Sequence, residues 1–276
     1  GTPLPNLSHG ALTSGFFTFR NGWKQDATVM VVKAGPKGEW HCQPDNGTFE
    51  LWFNGKNLFP DSGSYVYAGD DEVMKLRNWF RQTCVHNTLT LDEKNLQTTQ
   101  SVTKLWKPEG NEQILVTENP HYDGLKHRHS VFFVDQTYFV IVDEAVGDAK
   151  GTVNLNYHFC EGNVNVDEKN NILTTAFDGP NNVKLQCFAE KKISTREKEG
   201  WSSIAYRQRV ARTSVSFDIV KESPAPVRYI TVIYPVKDTA SFPYIKAKYL
   251  NKEFDENGVK IEVSVNGKKR QLEYHL

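Results

Sequence analysis

Runs of alternating apolar and polar residues, most of them closed by a glycine- or asparagine-bearing turn, recur from Ala27 to the end of this chain and restrict the folds open to it. "ATVMVVKAG" is β-branched and stops at a glycine, and "GTFELWFNGKNLF" alternates Phe49, Leu51 and Phe53 before turning at Asn54-Gly55. "HSVFFVDQTYFVIVDE" reads as a hairpin around Asp135-Gln136, with further turns at Asp178-Gly179-Pro180 and Asn266-Gly267. Helical periodicity is confined to "DDEVMKLRNWFRQT". There Asp70, Asp71 and Glu72 suit a helix N-terminus, and Val73, Leu76 and Phe80 fall on one face. One short helix among many strands predicts an all-β chain: a large antiparallel β-sandwich with at most one or two short helices.

At 276 residues the chain can bury a core without disulfides or metals as obligatory staples. The opening "GTPLPNLSHGALTSG" is rich in Pro, Gly and Ser, so residues 1–20 are expected to be a linker remnant and residues 21–276 one sandwich domain. Cys42, Cys84, Cys160 and Cys187 are dispersed without a CxxC, which predicts free thiols. Lys+Arg and Asp+Glu are both 33, so a polyanion could bind only through a local basic patch. Nucleic-acid motifs, nucleotide-binding glycine loops, HExxH and GxSxG are all missing. No apolar run approaches the roughly 20 residues of a membrane-spanning helix.

The segment "EWHCQPDNGTFELWFNGKNLFPDSGSY" carries more polar chemistry than a plain strand region needs. His41 stands before a strand, where an imidazole can move a proton near neutral pH or stabilise developing charge; a structural histidine is the plainer alternative. Gln43, Asp61 and His86 offer an amide oxygen, a carboxylate and an imidazole, a mixed ligand set for a divalent cation. No local spacing forces them together, and Asp61 in "PDSG" also reads as a turn cap. Arg77 and Arg81 flank Trp79 and Phe80 and suit sulfate or carboxylate groups on a sugar, with a solvated helix face as the alternative. His127 and His129 share a strand face and could form half a metal site, but a charged, solvated strand edge is the expected reading.

In order, His41, Asp45-x-Gly47-x-Phe49, Asp61-x-Gly63 and His86-Asn87 followed by a strand resemble the heparinase II/III family of polysaccharide lyases. The resemblance implies the C-terminal β-sandwich of a heparan-sulfate-type lyase, which in the whole enzyme packs on an N-terminal helical toroid. It assigns His41 as the catalytic histidine and Asp61 and His86 to a structural divalent metal, with Gln43 standing where a relative has a second histidine. An amide oxygen disfavours zinc and leaves calcium open. The implied partners are heparan sulfate or a related acidic polysaccharide and the chain's own helical domain, in a monomer exported to a bacterial periplasm or secreted. The chain by itself is expected to be inactive. A non-catalytic module that grips acidic glycans is the competing reading.

Overall fold

The computed structural model describes residues 7–36 and 42–276. At its centre is an eight-stranded antiparallel sheet. Its strands run, edge to edge, Val164–Asp167, Ile172–Thr175, Asn182–Ala189, Val227–Val236, Tyr138–Val146, Leu125–Val134, Glu112–Tyr122 and Val102–Lys107. "VFFV" and "YFVIV" are unbroken apolar runs because this sheet is buried on both faces. Phe133, Phe139 and Ile141 point into one core, while Phe132, Val134, Val140 and Val142 point into another.

The first core is closed by two sheets. A five-stranded meander comprises His9–Ala11, Phe16–Arg20, Thr28–Lys33, Phe49–Phe53 and Lys56–Asn57. A four-stranded sheet orders Ser194–Lys198, Ser214–Lys221, Gly151–His158 and Leu89–Leu91. The second core lies under the three-stranded sheet Ile245–Tyr249, Gly258–Val265 and Lys268–His275, which supplies Ile261, Val263 and Leu272. The all-β sandwich expectation holds, with an added outer layer.

Turn chemistry explains the register. Asn54-Gly55, Asp135-Gln136 and Asn266-Gly267 all have positive φ at both positions, the conformation that matches strand twist in a tight hairpin. The helix Asp71–Phe80 starts where Asp70 accepts a hydrogen bond from the Val73 amide at 3.0 Å. Of its expected apolar face only Phe80 is fully buried, stacked on Tyr65, while Val73 and Leu76 are half-buried.

Two expectations need correction. Within residues 1–20, the described part is no linker: His9–Ala11 and Phe16–Arg20 pair into the meander, and Phe17 and Phe19 are fully buried. The Pro, Gly and Ser content obscured "FFTFR", whose alternate phenylalanines enter the core. Nor do His127 and His129 lie on a solvated edge. Leu125–Val134 is an interior strand paired on both sides, and both rings are buried. Among the described residues, Cys84, Cys160 and Cys187 are buried thiols that form no disulfide.

Candidate functional site

The site is assembled from three loops. The first, leaving strand Thr28–Lys33, turns through Cys42–Thr48 and returns into Phe49–Phe53. Its Gly47 amide donates to the Lys33 carbonyl (2.8 Å), and Lys33 pairs through its ammonium with Asp45. Gly47 has φ +88°, and a Cβ there would sit 2.9 Å from Thr88 Oγ1 and 3.3 Å from His127 Cε1. Only glycine lets this loop lie flat on the sheet below. The second loop carries Asp61, whose Oδ1 accepts from the Gly63 amide at 2.7 Å. A Cβ on Gly63 would fall 2.1 Å from the Ser203 carbonyl oxygen. The third is the one-turn 3₁₀ helix Thr83–Val85, which delivers His86.

His86 is held from several sides. Asn87 donates to the Phe49 carbonyl (2.9 Å) and accepts from the His158 amide (2.7 Å). The preceding Cys84 carbonyl receives Lys198 Nζ at 3.2 Å and the His158 ring at 3.1 Å. Its own Nδ1 lies 2.8 Å from the Gln82 carbonyl, which can only accept, so the proton is on Nδ1. Nε2 therefore turns a lone pair toward Asp61 Oδ2, 3.2 Å away. Two acceptors this close require either a second imidazole proton or a cation between them.

The electrostatics agree. Burial resists ionisation of Asp61, but His86, the Gly63 amide and Arg212 outweigh it and draw its pKa down to about 2. Burial likewise opposes charge on His86, yet Asp61 and then Asp45 raise its pKa above the ordinary value. Gln43, Asp61, Arg77 and Arg81 line one pocket of about 220 Å³. Gln43 Oε1 is buried and has no hydrogen-bond donor. An orphaned amide oxygen, a carboxylate and an imidazole lone pair fit a divalent cation. Asp45 also has a carboxylate oxygen within 4.8 Å of ligand atoms on Asp61 and His86. Its ion pair with Lys33 already occupies one of its oxygens.

Of the residues singled out in the sequence, Asp61 and His86 come together, and Gln43, Arg77 and Arg81 border the same pocket. His41 lies outside the described residues. Arg81 donates to the Cys42 carbonyl at 3.2 Å, and Arg77 to the Val66 carbonyl with its guanidinium over Tyr67. Both arginines thus spend donors on bracing loops. No local motif marks Lys198 and His158, which reach the site from strands far along the chain, or Arg212, which reaches it from the segment just before Ser214–Lys221.

A second group, His127, His129 and Asp143, also gathers potential metal ligands. Its geometry is that of hydrogen bonds. His127 Nε2 and His129 Nδ1 both contact Asp143 Oδ1, at 2.7 and 2.6 Å. Two ligands each about 2.0–2.2 Å from one zinc would stand about 3 Å or more apart. The 3.2 Å between Asp61 and His86 meets that spacing and these contacts do not.

Residues 3–246 match the family described as heparinase II/III-like, C-terminal. A heparin-sulfate lyase from Bacteroides stercoris is 62% identical over 270 residues, covering 98% of this chain and 40% of that protein. One from Pedobacter heparinus is 39% identical, covering 96% of this chain and 41% of that protein. Among solved structures, a heparinase III gene product superposes with a TM-score of 0.99 at 62% identity, covering 100% of this chain and 43% of the other. Heparan sulfate lyase HepC from Pedobacter heparinus gives 0.93 at 37% identity, covering 99% and 43%. The chain thus spans about two-fifths of the length of these relatives. With a family match over most of its residues and relatives this similar along its whole length, the chain belongs to the heparinase II/III family as a C-terminal domain.

Proposed function

We propose that this chain is the sandwich domain of a heparan-sulfate lyase that cleaves uronate-containing glycosaminoglycan by β-elimination. The observation that carries the reading is 62% identity to a heparin-sulfate lyase along 98% of the chain. The chemistry asks for three things: removal of the proton α to a uronate carboxylate, neutralisation of that carboxylate as charge flows into it, and a proton for the leaving oxygen. His41 is the chain's contribution to the reacting centre, as base or as stabiliser of the developing charge. It stands one residue before Cys42, whose carbonyl is tied down by Arg81. The cavity floored by Gln43, Asp61 and Arg81 lies beside that anchor.

Gln43, Asp61 and His86 would hold a divalent metal ion, calcium or zinc. When bound, that ion supplies a fixed positive charge that ties the Cys42–Thr48 loop to the Asp61 and His86 loops. Each of the chain's own residues has a separate task. Gln82 fixes the His86 tautomer, Lys33 keeps Asp45 and its loop in register, and Arg81 sets the start of that loop.

The decisive experiment uses the complete protein on heparan sulfate, following the ultraviolet absorbance of the unsaturated uronate product. The intact protein should generate that absorbance, and His41→Ala should reduce turnover by about 100- to 10,000-fold while leaving the fold intact. Absence of unsaturated product from the active complete protein would defeat the lyase reading. An undiminished rate in the variant would remove only His41 from the reacting centre.

A further inference from the structure

We propose that Arg212 is a positioning residue that sets the Asp61–His86 separation by bridging the two loops that carry them. Its guanidinium donates through Nη1 to the Pro60 carbonyl at 2.5 Å and reaches the Val85 carbonyl through Nη2 at 3.5 Å. These are the residues immediately before Asp61 and His86. Arg212 enters from the segment leading into strand Ser214–Lys221, and its own amide is fixed by the Gly200 carbonyl at 3.0 Å. The residue is only 7% exposed. Among the described residues no carboxylate forms an ion pair with it, and its Nε has no acceptor.

A buried guanidinium without a salt bridge is costly, and an apolar side chain of similar volume would ordinarily be favoured. What the arginine provides is a rigid fork of donors that can hold two carbonyls from separate segments at once. Those carbonyls lie 152 and 127 residues away in sequence, so the contact ties together parts of the chain with no local reason to stay in register. The His86 loop has other braces in Lys198, His158 and Asn87, whereas the Asp61 loop is tied by this bridge, by the Ser203 amide donating to the Ser62 carbonyl at 2.8 Å and by Ser62 Oγ donating to the Phe80 carbonyl at 3.1 Å. The charge of Arg212 also favours ionised Asp61, but charge alone would repel a cation. A positioning role and a repulsive role therefore predict opposite signs.

The metal arm of the test rests on the cation reading above, and a second arm does not. Zn²⁺ and Ca²⁺ are titrated separately into the intact metal-free protein, its Arg212→Lys form and its Arg212→Met form by calorimetry. Both variants should lose about 10- to 100-fold in affinity, the usual effect of removing a residue that orients ligands. Lysine keeps the charge but cannot fork to two carbonyls. Wild-type affinity in Arg212→Lys, or tighter binding in Arg212→Met, would overturn the proposal; if the methionine form does not fold, the lysine form decides. Hydrogen exchange supplies the independent arm. In Arg212→Lys the amides of Gly63, His86, Asn87 and Thr88 should lose protection while those of the central sheet keep theirs. Unchanged protection at these four amides, or an equal loss everywhere, would overturn it. Wild-type protein that binds neither ion would end the metal reading and leave the exchange result to judge Arg212.

Discussion

In the closed chain of histidines packed against Gly47, each ring-to-ring and ring-to-carboxylate contact has one donor and one acceptor; at the Asp61–His86 pair the contact closes only with a second imidazole proton or a cation. The closed chain starts at Asn119, whose Nδ2 donates to the Thr98 carbonyl and to His121 Nδ1, at 2.8 and 2.7 Å. His121 Nε2–H must then donate to His127 Nδ1 at 3.0 Å, and His127 Nε2–H to Asp143 Oδ1. His129 Nδ1–H gives a second proton to the same oxygen. The direction of each bond dictates the next, so this order needs no charge on His121 or His127. Burial lowers the pKa of His121 and His127, which agrees. At the open pair, Asp61 keeps 36% of its side chain exposed against 2% for Asp143, and solvent or an ion can enter. The same two side-chain types make a sealed structural bond in one place and a receptive one in the other.

Removing the carboxylate shared in the closed chain should have the largest effect of all. Asp143→Ala strips the acceptor from two buried rings, and losing one partner of a buried charged network costs about 3–5 kcal/mol. Denaturant unfolding of the variant should show that loss. A change below about 1 kcal/mol would mean that the network is not holding the first core together.

Acid should separate the two regions by sign. His121 and His127 have folded pKa values below those of the unfolded chain, so unfolding takes up protons once the pH drops below about 6.5, and stability falls as the solution is acidified. His86 is raised, so its contribution is present below about 6.5 and fades as the pH rises through its folded value. Unfolding midpoints measured between pH 7 and 5 should decline. His121→Gln should flatten that decline by about one proton, or about 1.4 kcal/mol per pH unit. An unchanged slope would show that His121 titrates as an ordinary histidine, and the closed chain would lose its logic.

How far the sequence reveals these two regions depends on what each one needs. Alternation and turn residues suffice for the strands, because burial on one face and a tight hairpin are local demands. Asp61-x-Gly63 is legible for a similar reason: the carboxylate accepts from an amide two residues on, and the glycine takes a backbone angle others avoid. The closed histidine chain is not legible. "HRH" has the same pattern on an edge strand as on an interior one, and only the pairing of Leu125–Val134 on both sides decides. Arg212 is further out of reach, since its partners are two carbonyls that belong to no side-chain motif. The third layer of sheet escapes as well: alternation marks a strand as buried but does not say how many sheets bury it.

At the open pair, substitution should leave the fold nearly untouched and change what the site holds. Asp61→Ala removes one half-exposed carboxylate and its turn hydrogen bond, for which about 0.5–1.5 kcal/mol is the expected loss. Titration with Zn²⁺ or Ca²⁺ should show binding abolished in the same variant. Binding that survives Asp61→Ala would place the ion elsewhere, and a stability loss as large as that of Asp143→Ala would make the two regions alike.

The smallest effect is expected at Gln43, and it discriminates most finely. Gln43 Oε1 is buried without a donor, so in the metal-free protein it costs desolvation and returns no hydrogen bond. Removing it by Gln43→Ala should therefore leave metal-free stability within about 0.5 kcal/mol of the original, or raise it slightly. The closed chain has unpaired atoms too, His129 Nε2 and Asp143 Oδ2, but their residues are locked by other bonds and cannot be deleted at so little cost. In the presence of the ion the sign at Gln43 should reverse. An oxygen that now completes the coordination would be lost, and the metal-induced rise in melting temperature should shrink relative to wild type. Melting curves with and without Ca²⁺ or Zn²⁺, recorded for both proteins, measure both halves. If Gln43→Ala gains the full wild-type increment from the ion, its orphaned oxygen faces the site without serving it, and the ligand set reduces to Asp61 and His86.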